Sequence, residues 1–221
     1  AAWAAICELD WDHLTLLDLP EGTPLWAAPG RPGDLRTESR GPSPRAVLVG
    51  GFEAYLQRLS PRTRQQARRL LREGERAGAR LELVEPDRAP STFDELVALH
   101  QARWTGAGHP GVFAAPRFVD FHRRLIGRWL PGGRAVLARL SIGPEPLAVL
   151  YGFVTGRTFD FYQSGVRLGP SGRLSGPGIL AHLRLIRALS RQGITGYDFL
   201  RGSAPYKDRL ATHQDPLIAA E

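Results

Sequence analysis

Apolar positions along the chain recur with two periods, and these mark out an alternation of short strands and amphipathic helices. Residues 13–19 and 46–49 read as strands, and the Pro-, Gly- and Arg-rich residues 24–44 between them read as a loop. A short helical stretch at 51–58 leads into Ser60-Pro61, where serine can cap a helix and proline fits the first helical position. That helix is predicted to run to about Ala77. Ala67, Leu70, Leu71 and Ala77 form a narrow apolar stripe, and Gly78 is the stop. Residues 80–85 alternate as a strand. Ser91 or Thr92 is expected to cap a helix reaching Trp104, and residues 117–130 form another after a loop at 106–116. Three apolar strands follow at 135–142, 147–155 and 158–166. The turns between them are short, which makes them antiparallel neighbours. A Gly/Pro/Ser loop at 168–176 opens a helix from Pro177 to about Gln192, and residues 197–200 form a last, buried strand. The expected fold class is therefore mixed α/β, with a largely antiparallel central sheet and no strict strand–helix alternation.

Composition narrows the setting. With 221 residues and 43% hydrophobic content, the chain can bury a sizeable core, and no apolar run approaches the ~20 residues of a membrane span. The first twenty residues carry Glu8, Asp10, Asp12 and Asp18 but no Lys or Arg, so no secretory signal is read there. A single cysteine, Cys7, excludes an internal disulfide framework. It reads as a small core residue, and a cytoplasmic location is expected. The chain starts at Ala1 and contains no methionine, which reads as a processed chain or a fragment. Net charge is +7, and arginine supplies every basic residue but Lys207. The excess gathers at 58–80, where Arg58, Arg62, Arg64, Arg68, Arg69, Arg72, Arg76 and Arg80 face only Glu73 and Glu75. A solvated helix face accounts for such a run, and an anionic substrate or RNA is the other reading.

Most catalytic signatures are missing: no HExxH, CxxC pair, P-loop or GxSxG occurs, and the six histidines lack metal-ligand spacing, so no metal is predicted. One segment does carry chemistry. Arg173, Gly176 and Gly178 form an R-x-x-G-x-G between a strand and a helix. Glycines there allow close backbone approach to a pyrophosphate, and the helix start presents unpaired N–H groups.

The element order with this loop resembles the GNAT acyltransferase fold. The segments Leu99-His100-Gln-Ala-Arg103-Trp104, Tyr162-Gln-Ser164-Gly165 and Pro177-Gly178 resemble its CelD-like branch, associated with polysaccharide biosynthesis, and the related Fem-type aminoacyl transferases. So does Tyr197-Asp198-Phe199-Leu200-Arg201-Gly202-Ser-Ala-Pro-Tyr206-Lys207, the most specific of the four. The likeness covers about residues 59–210. It implies residues 1–58 as the remnant of a preceding GNAT-like subdomain and 59–221 as the acyltransferase domain. It implies an acyl-CoA-dependent N-acyltransferase, with acetyl-CoA as donor and a small-molecule, sugar or peptide amine as acceptor. The donor site is expected at Gln163, Ser164, Gly165, Val166, Arg173, Gly176, Gly178 and Ile179. Tyr206 is expected to protonate the departing thiolate, Asp198 to orient an amine, Lys207 to contact substrate, and His100 to act as a base. Packing roles stand beside each of these. Trp104 reads as core. The family's acidic residues near Ser203 and Ala204, and its aromatic at Leu210, are replaced here. Two rivals remain: a Fem-type enzyme fed by aminoacyl-tRNA, which the basic helix favours, and a non-catalytic GNAT-like binding module. The oligomeric state is not readable.

Overall fold

The computed structural model describes residues 2–9, 11–33, 35–167, 174–202 and 204–221. The elements in chain order are α1 (Ala2–Cys7), β1 (Leu16–Pro20), α2 (Pro24–Ala27), β2 (Thr37–Val47), α3 (Gly51–Arg58), α4 (Pro61–Arg76), β3 (Ala79–Leu83) and α5 (Ala89–Gly106). They continue with α6 (Pro116–Trp129), β4 (Ala135–Ile142), β5 (Glu145–Thr155), β6 (Thr158–Val166), α7 (Pro177–Arg191), β7 (Gly196–Asp198), α8 (Pro205–Leu210) and β8 (His213–Ala220). The eight strands make one sheet in the order β1-β8-β2-β7-β6-β5-β4-β3. Every pairing is antiparallel except β6 with β7. The mixed α/β class with a mostly antiparallel sheet is as expected.

Helices cover both faces, and β5 shows why. Ala148 and Leu150 enter one buried cluster, with Leu70, Leu180 and Ile186 of α4 and α7. Val149 and Tyr151 enter the other, with Phe93, Leu96 and Ile126 of α5 and α6. Strand alternation thus feeds two cores from one strand. Helix α4 begins as its sequence dictates: the Ser60 hydroxyl accepts the Thr63 N–H, and such a cap is worth about 1 kcal/mol. A Cβ on Gly74 would lie 2.6 Å from Leu180 Cδ2, so glycine lets α4 settle closely on α7. A bidentate pair between buried Arg139 and half-buried Glu95 ties α5 to the sheet, with Arg139 Nε 2.6 Å and Nη2 3.0 Å from the Glu95 carboxylate oxygens.

Several local expectations are corrected. The stretch 24–44, read as loop, holds α2 and most of β2. Pro42 and Pro44 are accommodated because β7 pairs β2 only at Arg45–Val47, so the earlier stretch faces a strand on one side alone. The cap expected at Ser91 or Thr92 lies inside α5, which starts at Ala89 with Pro90 in its first turn. Helix α8 and strand β8, unassigned from sequence, complete the fold. Cys7 is exposed rather than buried, and Trp104 is 41% exposed rather than core. Among the described residues, no helix is long and apolar enough to cross a membrane.

Candidate functional site

Strand β7 runs beside β6 only from Thr158 to Asp160. From Phe161 to Val166, β6 keeps β5 on one side and, among the described residues, has no strand on the other. The divergence starts at a bulge: Tyr151 faces Gln163 and Gly152 faces Phe161, leaving Tyr162 without an opposite number. Bulges bend a strand and shift its alternation. Phe159 and Phe161 point into the α4/α7 core. Without the bulge, Gln163 and Gly165 would follow them to that side. With it, Ser164 and Val166 do, and both line a cleft of about 330 Å³. Gly165 turns the other way, against α5. A Cβ there would lie 2.6 Å from the Leu96 carbonyl oxygen and 2.7 Å from Leu99 Cβ. Glycine at 165 is thus required by packing.

The cleft is closed by the start of α7. Gly176, Pro177, Gly178 and Ile179 line it. Gly176 takes φ 114°, a backbone region that L side chains rarely adopt, and nothing lies within 4 Å of its Cβ position. It leaves an open approach to the first N–H groups of the helix. Of the expected donor-site residues, Ser164, Val166, Gly176, Gly178 and Ile179 come together here. Gln163 and Gly165 sit on β6 outside the lining, and Arg173 lies outside the described residues.

Tyr206, on α8, lines the same cleft. Its ring stacks on the His182 imidazole at 5.1 Å between centroids, inclined 23°. Burial pushes its phenol up to about 12, with the Arg103 charge opposing the shift. Arg103, from α5, lines the cleft as well. His182 was not anticipated. It is 3% exposed, its Nδ1 lies 2.7 Å from the Tyr197 hydroxyl, and burial pulls it down to about 3, helped by the Lys207 charge. It is a neutral platform under Tyr206. Its one sequence signal is its spacing: four residues after Gly178, it shares that face of α7.

The other expected residues are placed differently. Asp198 Oδ1 accepts the Ser43 hydroxyl and the Leu200 N–H, each at 2.7 Å, fixing the turn that follows β7. Leu200 in that turn has φ 56°. The Lys207 ammonium donates to the carbonyls of Leu200 at 3.0 Å and Arg201 at 3.1 Å. Burial lowers its pKa, while Asp198 and Asp208 oppose the shift. His100 is 3% exposed, with Nδ1 3.1 Å from Gln101 Oε1 and its ring against Phe113. Burial lowers its pKa, and it does not line the cleft. Leu210, at the position where the family has an aromatic, is buried, and its carbonyl accepts the Tyr55 hydroxyl at 2.9 Å.

Residues 61–208, about two-thirds of the chain, match the family model for the acetyltransferase (GNAT) domain. The chain belongs to the GNAT family. Solved structures with a similar fold include FemX, at 11% identity and TM-score 0.66, covering 94% of this chain and 71% of that one. A C-terminal domain assigned to a lysylphosphatidylglycerol synthetase of Agrobacterium fabrum gives 14% and 0.64, covering 93% and 66%. The L-PGS structure from Bacillus licheniformis gives 13% and 0.61, also covering 93% and 66%. These identities speak for the fold alone, and this GNAT chain spans just under two-thirds of the two synthetase chains. A comparison with curated proteins finds no match.

Proposed function

We propose that this GNAT domain is an acyl-CoA-dependent N-acyltransferase of the CelD-like branch, with acetyl-CoA as its donor. The divergence of β6 from β7, opening directly onto the start of α7, carries the reading. The strandless edge of β6 at Phe161–Val166 suits hydrogen bonding to a pantetheine arm, with Ser164 and Val166 along its path. The first N–H groups of α7 suit a pyrophosphate, an anion that a helix start attracts. Arg173, outside the described residues, remains expected from the sequence motif to contact that anion.

In the transfer, the acceptor nitrogen attacks the thioester carbonyl. A C–N bond forms, the C–S bond breaks, and one N–H proton of the amine is released. The thiolate takes a proton from the Tyr206 hydroxyl, which is refilled by the proton the amine released. Burial keeps Tyr206 protonated at neutral pH, and Arg103 stabilises the phenolate while it lasts. His182 holds the ring in place. Holding donor and amine together can itself supply up to about 7–11 kcal/mol of the barrier. Asp198 acts through the turn it fixes.

CoA tests the donor site. It should raise the melting temperature, and pantetheine without phosphates should do so far less. Gly176→Val would strain φ 114° and block the approach, so it should abolish the shift. Equal stabilisation of wild type and variant by CoA would remove the donor from this cleft.

A second reading, aminoacyl transfer from tRNA, is favoured by a groove at the other end of α7. Arg80, Arg184, Arg187 and Arg191 line it against one carboxylate, Glu75. Bulk tRNA binding that weakens steeply between two salt concentrations, without any CoA effect, would select it.

A further inference from the structure

His182 sits in the wall of the donor cleft with half of its hydrogen bonding unused. It lines the cleft, yet it is only 3% exposed. Nδ1 faces inward, 2.7 Å from the hydroxyl of Tyr197, a fully buried residue of β7. Nε2, further round the ring, has no hydrogen-bond partner among the described residues, and it is not one of the side-chain atoms that burial seals without a partner. It is open to the space the ring borders, which is the cleft. Phe161, Phe199 and Tyr206 pack round the imidazole at 4.7 to 5.6 Å between centroids, so the ring cannot turn to find another partner.

The Tyr197 hydroxyl decides where the ring proton sits. Burial holds that phenol protonated, and its one hydrogen-bond partner among the described residues is His182 Nδ1. With the ring proton on Nδ1, the hydroxyl proton would have no acceptor in the core and Nε2 would be bare. With the hydroxyl donating to Nδ1, both groups are satisfied and Nε2 carries the N–H. Burial and the Lys207 charge keep the ring neutral, pulling it down to about 3. Such an imidazole is no base for an amine at neutral pH. It can still donate a hydrogen bond, and a neutral N–H aimed at a carbonyl polarises it without giving up the proton. Tyr206 stacks on the same ring at 5.1 Å, so one thioester can present its oxygen to Nε2 and its sulfur to the phenol.

We propose that His182 donates its Nε2–H to the carbonyl oxygen of the thioester and holds the oxyanion that forms on attack. As the C–N bond forms, the carbonyl π pair moves onto oxygen and the hydrogen bond strengthens; the proton stays on Nε2. When the C–S bond breaks, the pair returns to restore C=O, and sulfur takes its proton from Tyr206. His182 is then a catalytic residue as well as the platform under Tyr206, and Tyr197 is the positioning residue that fixes its tautomer. The inference rests on the acyl-CoA reading above.

Nitrogen-15 NMR of the free protein reads the tautomer. His182 should show a protonated Nε2 and a bare Nδ1, unchanged from about pH 5 to about pH 9, and Tyr197→Phe should let the second tautomer appear. A bare Nε2 in the wild type overturns the assignment whatever the donor. Binding reads the carbonyl contact. Acetyl-CoA should bind the wild type about tenfold more tightly than S-ethyl-CoA, in which a CH2 replaces the carbonyl. In His182→Phe the two should bind alike, while CoA keeps its wild-type affinity and shows that the variant is folded. The same variant should lose about a hundredfold in kcat, and His182→Gln, which keeps a neutral N–H donor, should recover part of that loss. Equal affinity of the wild type for acetyl-CoA and S-ethyl-CoA, or a preference that persists in His182→Phe, removes His182 from the carbonyl and leaves CoA in the cleft. A wild type that binds none of the three CoA compounds removes the donor reading and this inference together.

Discussion

Tyr206 and His182 form one unit: a phenol held protonated above an imidazole held neutral. If the phenol supplies the proton, Tyr206→Phe keeps the stack on His182 and should lower kcat about a hundredfold with CoA affinity unchanged; unchanged kcat would return Tyr206 to a packing role. Because its pKa is raised to about 12, its acid form persists across the working range. The kcat/KM profile should therefore rise as the acceptor deprotonates and show no falling limb up to about pH 10. A decline near pH 9 would point to another acid. Lys207 presents a narrower case. Its ammonium is committed to two carbonyls of a turn containing Leu200 at φ 56°, a conformation that costs about 1–3 kcal/mol unless its surroundings fix it. A planar guanidinium cannot meet two converging carbonyls as a compact ammonium does. Lys207→Arg should thus lose nearly as much acceptor-dependent turnover as Lys207→Ala, about tenfold or more, and full activity in the arginine variant would contradict this. From sequence, Tyr206 and Lys207 stood out through resemblance, and Lys207 also as the only lysine. His182 did not, because a histidine among leucines on a helix looks the same whether it lies in a core or under a reactive ring.

At the scale of elements, what could be read was what depends on neighbours in sequence. The Ser60 cap of α4, the three hairpin-linked strands β4 to β6 and the proline-started α7 each declare themselves within a dozen residues. What escaped depends on partners far along the chain. The prolines at 42 and 44 imitate a loop until β8 is seen beside them. The Tyr162 bulge cannot be deduced from β6 at all, because it exists only relative to β5; hence the sequence pointed to the whole run 163–166, and the structure divides it into cleft and packing faces. Gly165 tests that division. Gly165→Ala forces a methyl into the Leu96 carbonyl of α5, a backbone atom that cannot swing aside, and should cost about 1–3 kcal/mol of stability. A wild-type denaturation midpoint for this variant would mean that α5 stands further from the sheet.

Across the whole molecule, His100, His122 and His182 are each 3% exposed, and burial lowers the pKa of all three. The unfolded chain binds these protons near the ordinary value of 6.5, whereas the folded chain resists them. The stability they contribute is therefore intact above about pH 6.5 and lost as the pH falls toward their folded values. Each can add up to about 1.4 kcal/mol of loss per pH unit in that window. Melting temperature should drop between pH 7 and 5, and less steeply in His122→Gln; a flat profile would show these rings to be open to water. The sheet itself sets a further condition. Strand β8 lies between β1 and β2, so, among the described residues, 37–44 find a strand partner only in residues 214–220. During synthesis, β1 and β2 leave the ribosome long before the strand that joins them. Their hydrogen-bonding edges must wait through the making of more than a hundred and fifty residues, open to neighbouring nascent chains or to a chaperone. The β4–β6 hairpins can meanwhile assemble, so the hollow that Asp18 and Arg40 of those waiting strands line with Arg201 and Asp208 is among the last parts of the molecule to exist.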